Sequence, residues 1–183
     1  MISRISGNLE SLEGLEAIIQ PASSGLSYQV LLPAYLAERL RPQVGRPVTL
    51  QTLEYLEGQG QGSAYIPRLI GFASVHERRF FDLLTSVDGF GNRKALRALA
   101  QEPASIARAI AGADAAWLSQ LPEIGKKTAE KVILELKGKV QPFLTADEIR
   151  GLNAAATPTT GPAEEAIAAL VALGETRPEA DRK

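Results

Sequence analysis

Cysteine is absent from this 183-residue chain, and histidine and tryptophan occur once each. Without thiols there are neither disulfides nor thiolate metal sites. With His76 alone, imidazole zinc sites and histidine-dependent catalytic triads lack their parts. His76 stands inside Ser74-Val75-His76-Glu77, a helix-start sequence, and reads as a surface residue. No Gly-x-x-x-x-Gly-Lys-Ser/Thr run occurs, so a P-loop is excluded. No apolar run approaches the roughly 20 residues of a membrane span. Met1-Ile2-Ser3-Arg4-Ile5-Ser6 reads as a strand, not as a signal peptide. The expectation is a soluble, cytoplasmic protein with no membrane partner, no cofactor and no metal. Apolar content is ample for packed cores, although aromatic residues make up only 5% of the chain.

Net charge is −1, which offers no gross basic signature. Its distribution is uneven. Residues 66–142 carry twelve Lys/Arg against eight Asp/Glu, while the segments before and after are acidic. A basic middle is the electrostatic footprint of a nucleic-acid-binding segment, and acidic neighbours that repel phosphate would help place the ligand.

That middle segment contains one motif twice, at an offset of thirty-four residues. The first copy is Val87-Asp88-Gly89-Phe90-Gly91-Asn92-Arg93-Lys94-Ala95, and the second is Leu121-Pro122-Glu123-Ile124-Gly125-Lys126-Lys127-Thr128-Ala129. Each has an apolar anchor, a tight turn, basic residues and an alanine opening an apolar-striped helix. The glycines suit the positive φ of a sharp turn. The following helix points unpaired N–H groups and its positive dipole end outward, ready for a phosphate. Arg93, Lys94, Lys126 and Lys127 add cations beside those donors. A single Gly-x-Gly before a helix is ordinarily just a helix–helix turn. Two copies in register read as paired helix-hairpin-helix motifs that grip a nucleic-acid backbone without reading bases. A helical solenoid of similar period would need at least three units. The candidate contact residues are therefore Gly89, Phe90, Gly91, Asn92, Arg93 and Lys94 in one hairpin, and Ile124, Gly125, Lys126, Lys127 and Thr128 in the other.

The expected organisation is an α+β, multidomain chain. Residues 1–72 show period-two alternation, as in Tyr28, Val30 and Leu32, with one short helix at Ala34–Leu40. Five short strands and a helix fit an OB-fold-like β-barrel, with Pro67 confining the last strand to an edge or a strand end. Gly58–Ser63 reads as a hairpin tip. Residues 73–142 form the helical domain carrying both hairpins. Its first helix opens with the capping box at Ser74, and its last bears the stripe Ala129, Val132, Ile133, Leu136, Val140. Pro103–Ala111 and Asp114–Leu118 read as short helices between them, and Trp117 as a core residue. Residues 143–162, rich in Ala, Thr, Gly and Pro, read as a flexible linker. Residues 163–183 hold a short helical tail, one helix over Glu164–Leu173 and a remnant, too small to bury a core by itself.

The barrel, the paired hairpins, and above all Leu121-Pro122-Glu123-Ile124-Gly125-Lys126-Lys127-Thr128-Ala129-Glu130-Lys131 resemble the RuvA family, the junction-binding subunits of bacterial Holliday-junction branch migration complexes. The stretch from Glu165 to Gly174 is similar to the opening of that family's third domain. The resemblance implies a homotetramer, or two stacked as an octamer, holding four-way junction DNA open in recombination and repair. It also implies the hexameric ATPase RuvB as motor partner, with RuvC resolvase as a further partner, so that the chain is no enzyme by itself. Motor contact would fall to Ile167, Leu170, Val171 and Leu173. The family's acidic pin, a pair of neighbouring carboxylates on a barrel loop, would be supplied by Glu54 and Glu57, on a loop lengthened through Gly58–Ser63. Glu123 stands where the family usually has glycine, placing a carboxylate beside the second phosphate site.

The alternative is an enzyme using the hairpins only for grip. Helix-hairpin-helix glycosylases carry a catalytic Asp some twenty residues beyond the hairpin, and Asp147 falls in that range. Its surroundings, Glu148-Ile149-Arg150, lack that family's pattern.

Overall fold

The alternating first half of the chain becomes five strands, β1 (Arg4–Glu13), β2 (Glu16–Gln20), β3 (Tyr28–Leu31), β4 (Pro47–Gly58) and β5 (Tyr65–Phe72). The computed structural model describes residues 1–22, 24–58 and 65–150. The strands close into a barrel in the order β1-β2-β3-β5-β4, with β4 returning to pair with β1. Only β3 and β5 run parallel, through Val30↔Leu69 and Leu31↔Ile70. A parallel pair needs a long crossover, and α1 (Ala34–Leu40) together with β4 supplies it. This is the expected OB-fold-like barrel.

One strand serves two neighbours because it bends. β1 pairs with β4 over Arg4–Asn8 and with β2 from Asn8 onward, with an irregularity between Leu9 and Ser11. An extra residue there increases local twist and lets the sheet curl shut. The inward positions hold Leu9, Ile19, Val30, Leu50, Ile70 and Phe72, all 2% exposed or less. Burying each such side chain contributes about 1.5–3 kcal/mol. Pro67 faces Leu56 of β4, ahead of the point where β3 begins to pair at Leu69. The strand has a partner on one side only there, so the missing N–H is tolerated.

At Ser74 the period changes. The Ser74 hydroxyl accepts from the Glu77 N–H at 3.1 Å, and the Glu77 carboxylate accepts from the Ala73 N–H at 2.8 Å. The reciprocal cap starts α2 (Val75–Thr85), which buries Phe80, Phe81 and Leu84. α3 (Asn92–Ala98), α4 (Pro103–Ala111), α5 (Ala115–Leu118) and α6 (Lys126–Leu136) follow. Asp114 caps α5 by accepting from the Trp117 N–H, and the half-buried Trp117 packs against the core. On α6, Ala129, Val132 and Leu136 are fully buried and Ile133 lies beside them.

Barrel and helices share one core. The Phe72 and Phe81 ring centres lie 5.1 Å apart, and the Tyr35 N–H of α1 donates to the Leu99 carbonyl at 2.8 Å. Contacts divide the chain into two units, Met1–Thr145 and Ala146–Lys183. The packed first unit thus runs past 143, where a linker was expected to begin. The reason is Phe143, whose ring lies 5.1 Å from that of Phe80 and 4.7 Å from that of His76. Most of the expected linker, the helix expected at Glu164–Leu173 and most of the hairpin tip expected at Gly58–Ser63 lie outside the described residues. Among the described residues no helix is long and apolar enough to cross a membrane.

Candidate nucleic-acid interface

Each hairpin turn is built by one buried residue between two exposed ones. Phe90 and Ile124 are 1% and 3% exposed, and their N–H groups donate back to the carbonyls of Val87 and Leu121. Both were expected among the contact residues. Their side chains instead anchor the turns in the core, because an apolar group flanked by two turn residues gains most by turning inward. The surface they shape is made by their neighbours.

Gly89 adopts φ 79°, the left-handed conformation that suits glycine. Gly91 and Gly125 do not: their φ values are −75° and −84°, in extended backbone that any residue adopts. The expectation of positive φ at these two glycines is therefore corrected. A Cβ built on either meets nothing within 4 Å. Neither backbone geometry nor internal packing calls for glycine at these positions. Each is the N-cap of its helix, α3 or α6, and makes no side-chain cap hydrogen bond. The first amides of both helices are thus left without a side-chain partner, beside a surface kept bare of side chains.

The second turn repeats this geometry with one substitution. Glu123, thirty-four residues after Gly89, adopts φ 64°. For a residue with a Cβ the left-handed region costs roughly 1–2 kcal/mol. Its carboxylate accepts from Arg97 Nε of α3 at 2.8 Å, so its charge is balanced within the protein. A second ion pair runs the other way. Lys131 Nζ of α6 donates to both the carbonyl and Oδ2 of Asp88 in the first turn, each at 2.8 Å. That hydrogen bond holds the Asp88 carboxyl below its ordinary pKa and the Lys131 ammonium above its own.

The four expected cations divide into two kinds. Arg93 is bound to the barrel: its Nε and Nη2 donate to the two oxygens of Glu57 at 2.5 and 2.9 Å. Lys94 Nζ reaches the Gly89 carbonyl at 3.3 Å. Lys126 and Lys127 are exposed and have no ion-pair partner among the described residues. Asn92 and Thr128 are half-buried at the two helix starts.

Glu54 and Glu57 lie within β4, not on a loop, because β4 stays paired with β5 as far as Gly58↔Tyr65. Three residues apart on a strand, they face opposite sides. Glu54 accepts from the Ile2 N–H at 3.2 Å and lies 3.8 Å from the terminal ammonium. Glu57 also accepts from Arg68 Nε at 3.0 Å. The Arg93 bond, with Arg68 behind it, lowers the Glu57 carboxyl to about 2 against burial that works the other way. The neighbouring pair expected for a pin is thus two separate, partnered carboxylates. Sequence reasoning missed Arg68, Arg97 and the pairing of Lys131 with Asp88. The one available signal was that Arg97 and Lys131 stand thirty-four residues apart, the same offset as the turns.

The enzymatic candidate Asp147 is fully exposed and lies 3.7 Å from Arg150, its ion-pair partner. The four apolar tail residues Ile167, Leu170, Val171 and Leu173 lie outside the described residues.

Known proteins agree with this architecture. Residues 81–139 match a family model described as a SAM-like helix-hairpin-helix tandem. The chain is 45% identical over 143 residues to the Holliday junction branch migration complex subunit RuvA of Rhodopirellula baltica, covering 78% of this chain and 68% of that protein. It is 40% identical to the RuvA subunit of Opitutus terrae over 99% of this chain and 88% of that one. For the RuvA subunit of Polynucleobacter necessarius subsp. necessarius the identity is 37%, over 98% and 86%. With a closed five-stranded barrel, two hairpins in tandem and identity of this extent along nearly its whole length, the chain belongs to the RuvA family.

Proposed function

We propose that this protein binds four-way DNA junctions through their phosphate backbone, without reading base sequence, and serves as the DNA-holding subunit of a branch migration complex. The observation that carries this reading is the pair of N-cap glycines. Gly91 and Gly125 have ordinary backbone angles and empty space where a side chain would go. A position that internal packing leaves free yet holds glycine twice, at uncapped helix starts, suits an external group that must come close. A phosphate is that group: it accepts from the free amides, gains from the helix dipole and meets Lys126 and Lys127. The similar proteins named above, each a Holliday junction branch migration complex subunit, support the same assignment.

In this reading the protein itself performs no bond-breaking chemistry. It works in the cytoplasm as a homotetramer or octamer around the junction, and a separate hexameric ATPase of the RuvB type drives the arms. RuvC resolvase is a further partner acting on the same DNA. The tail residues Ile167, Leu170, Val171 and Leu173 contact the motor. In this reading Glu54 and Glu57, which face opposite sides of β4 and have partners of their own, both border the crossover, where carboxylates disfavour uninterrupted duplex. The test is a mobility-shift comparison of a four-way junction with linear duplex of the same sequence. The wild type should prefer the junction at fixed salt. Equal affinity for both would overturn the junction reading, and appearance of an excised base or a nicked strand would overturn the non-catalytic one.

A further inference from the structure

The two turns are tied to each other by side chains that the hairpin motif itself does not include. Arg97, on the helix leaving the first turn, holds Glu123 in the second. Lys131, on the helix leaving the second turn, holds Asp88 in the first. Arg97 and Lys131 occupy the same place in the two copies, thirty-four residues apart. The ties are thus reciprocal: each outgoing helix reaches across to the other hairpin's turn. They also link elements whose supports only partly overlap: α3 and α6 both pack on α2, but α3 otherwise packs on α1 and α6 on α4 and α5.

Glu123 sharpens the point. It occupies a left-handed position that its counterpart fills with glycine, and it puts a carboxylate beside a helix start suited to an anion. Both features oppose a simple phosphate grip. The bond to Arg97 supplies the missing compensation, because it balances that charge and holds the turn by its side chain.

We propose that Asp88, Arg97, Glu123 and Lys131 are positioning residues: two reciprocal ion pairs that set the spacing and mutual orientation of the two turns, so that both meet successive phosphates of one duplex. This rests on the backbone-grip reading above. Two turns held in register bind as one bivalent unit, whereas turns that move independently lose effective concentration for the second contact.

The sign of the effect tests the idea. Removing carboxylates from a DNA-binding face ordinarily strengthens binding, because fewer negative charges oppose phosphate. Positioning requires the reverse. Asp88→Ala with Glu123→Ala should weaken junction binding on the order of tenfold. It should also lower the slope of log affinity against log salt, because fewer phosphates are neutralised together. Each single variant should lose less than half of that in logarithmic terms, since the remaining tie still couples the turns, a non-additivity expected of linked sites. Arg97→Lys with Lys131→Arg keeps every charge, leaves a cation facing each carboxylate, and should lose clearly less affinity than the double alanine variant. Thermal melting of each variant reports folding, and because all four side chains are at the surface the melts should stay close together. Tighter or unchanged binding with an unchanged salt slope in the double alanine variant would overturn the proposal. An equal loss in the charge-keeping variant would do so too. Gly91→Val serves as the control for the underlying reading. If that substitution leaves affinity intact, the backbone grip itself fails and the ties have nothing to position.

Discussion

Gly91 and Gly125 separate binding from folding more cleanly than other residues of the hairpins. A Cβ at either meets no protein atom within 4 Å, and both have negative φ. Gly91→Val should therefore move the melting temperature by no more than a few degrees, which for a domain of this size is about 1 kcal/mol. Junction affinity should fall on the order of tenfold or more if, as proposed, a phosphate comes close at this position, because the branched side chain would occupy that space. Calorimetry and mobility shift on one preparation check both halves, and outright unfolding would mark the glycine as structural. Glu57 makes a second prediction at this scale. Its carboxyl titrates near 2 in the folded protein, below the ordinary 4.5, chiefly through Arg93. A depressed pKa means that the pair's stabilisation is complete above about pH 4.5 and is lost as pH falls toward 2. Following the Glu57 carboxyl carbon by NMR should give a midpoint near 2, and Arg93→Ala should move it upward. A wild-type midpoint near 4.5 would mean that the two groups are not paired in solution.

At the scale of elements, local pattern carried far. The capping box at Ser74 and the stripe on α6 depend on neighbours three or four residues away, and both form where the spacing predicts. Strand periods were equally legible, down to Pro67 at a place with one strand neighbour. Local pattern failed where one residue could serve two masters. Phe90 and Ile124 sit in the motif but turn inward, and nothing in the spacing distinguishes an anchor from a contact. What remains on the second hairpin's surface is the N-terminus of α6 with Lys126 and Lys127. Replacing both lysines with Ala should lower the salt slope by roughly two, one unit for each phosphate no longer neutralised. The loss should be similar for every base sequence tried. A loss confined to one sequence would mean base readout and contradict the backbone grip.

At the scale of the whole molecule, the question is how one protomer's turns and carboxylates combine in an assembly. In the fourfold arrangement proposed above, Glu54 and Glu57 from each subunit approach the crossover. Changing both to Gln should strengthen binding to linear duplex more than to the junction, for two reasons. Repulsion at the centre declines, and Arg93, released from Glu57, becomes available to phosphate. An unchanged junction-to-duplex ratio at fixed salt would show that these carboxylates serve only the barrel. The apolar tail residues allow a separate test. Leu170→Glu with Leu173→Glu should leave junction affinity as it is and abolish stimulation by a RuvB-type motor, and loss of junction binding instead would place the tail in the DNA-holding machinery.

By itself the sequence determined what depends on near neighbours: the strand and helix periods, the caps, the two turns at one offset and the class of ligand their helix starts suit. Those follow from backbone geometry and side-chain spacing within a few residues. Only the tertiary structure decided which charges are available to a ligand and which are already engaged. Arg93 and Glu57 are 36 residues apart in the chain, Lys131 and Asp88 43, Arg97 and Glu123 26. At such separations a charge has many possible partners in the sequence, and folding selects one by bringing a barrel strand, two turns and two helices to the same place. The same selection decided the meaning of the glycines. A residue without a side chain looks alike in any sequence, and only the empty space around Gly91 and Gly125 shows that the fold itself has no use for it.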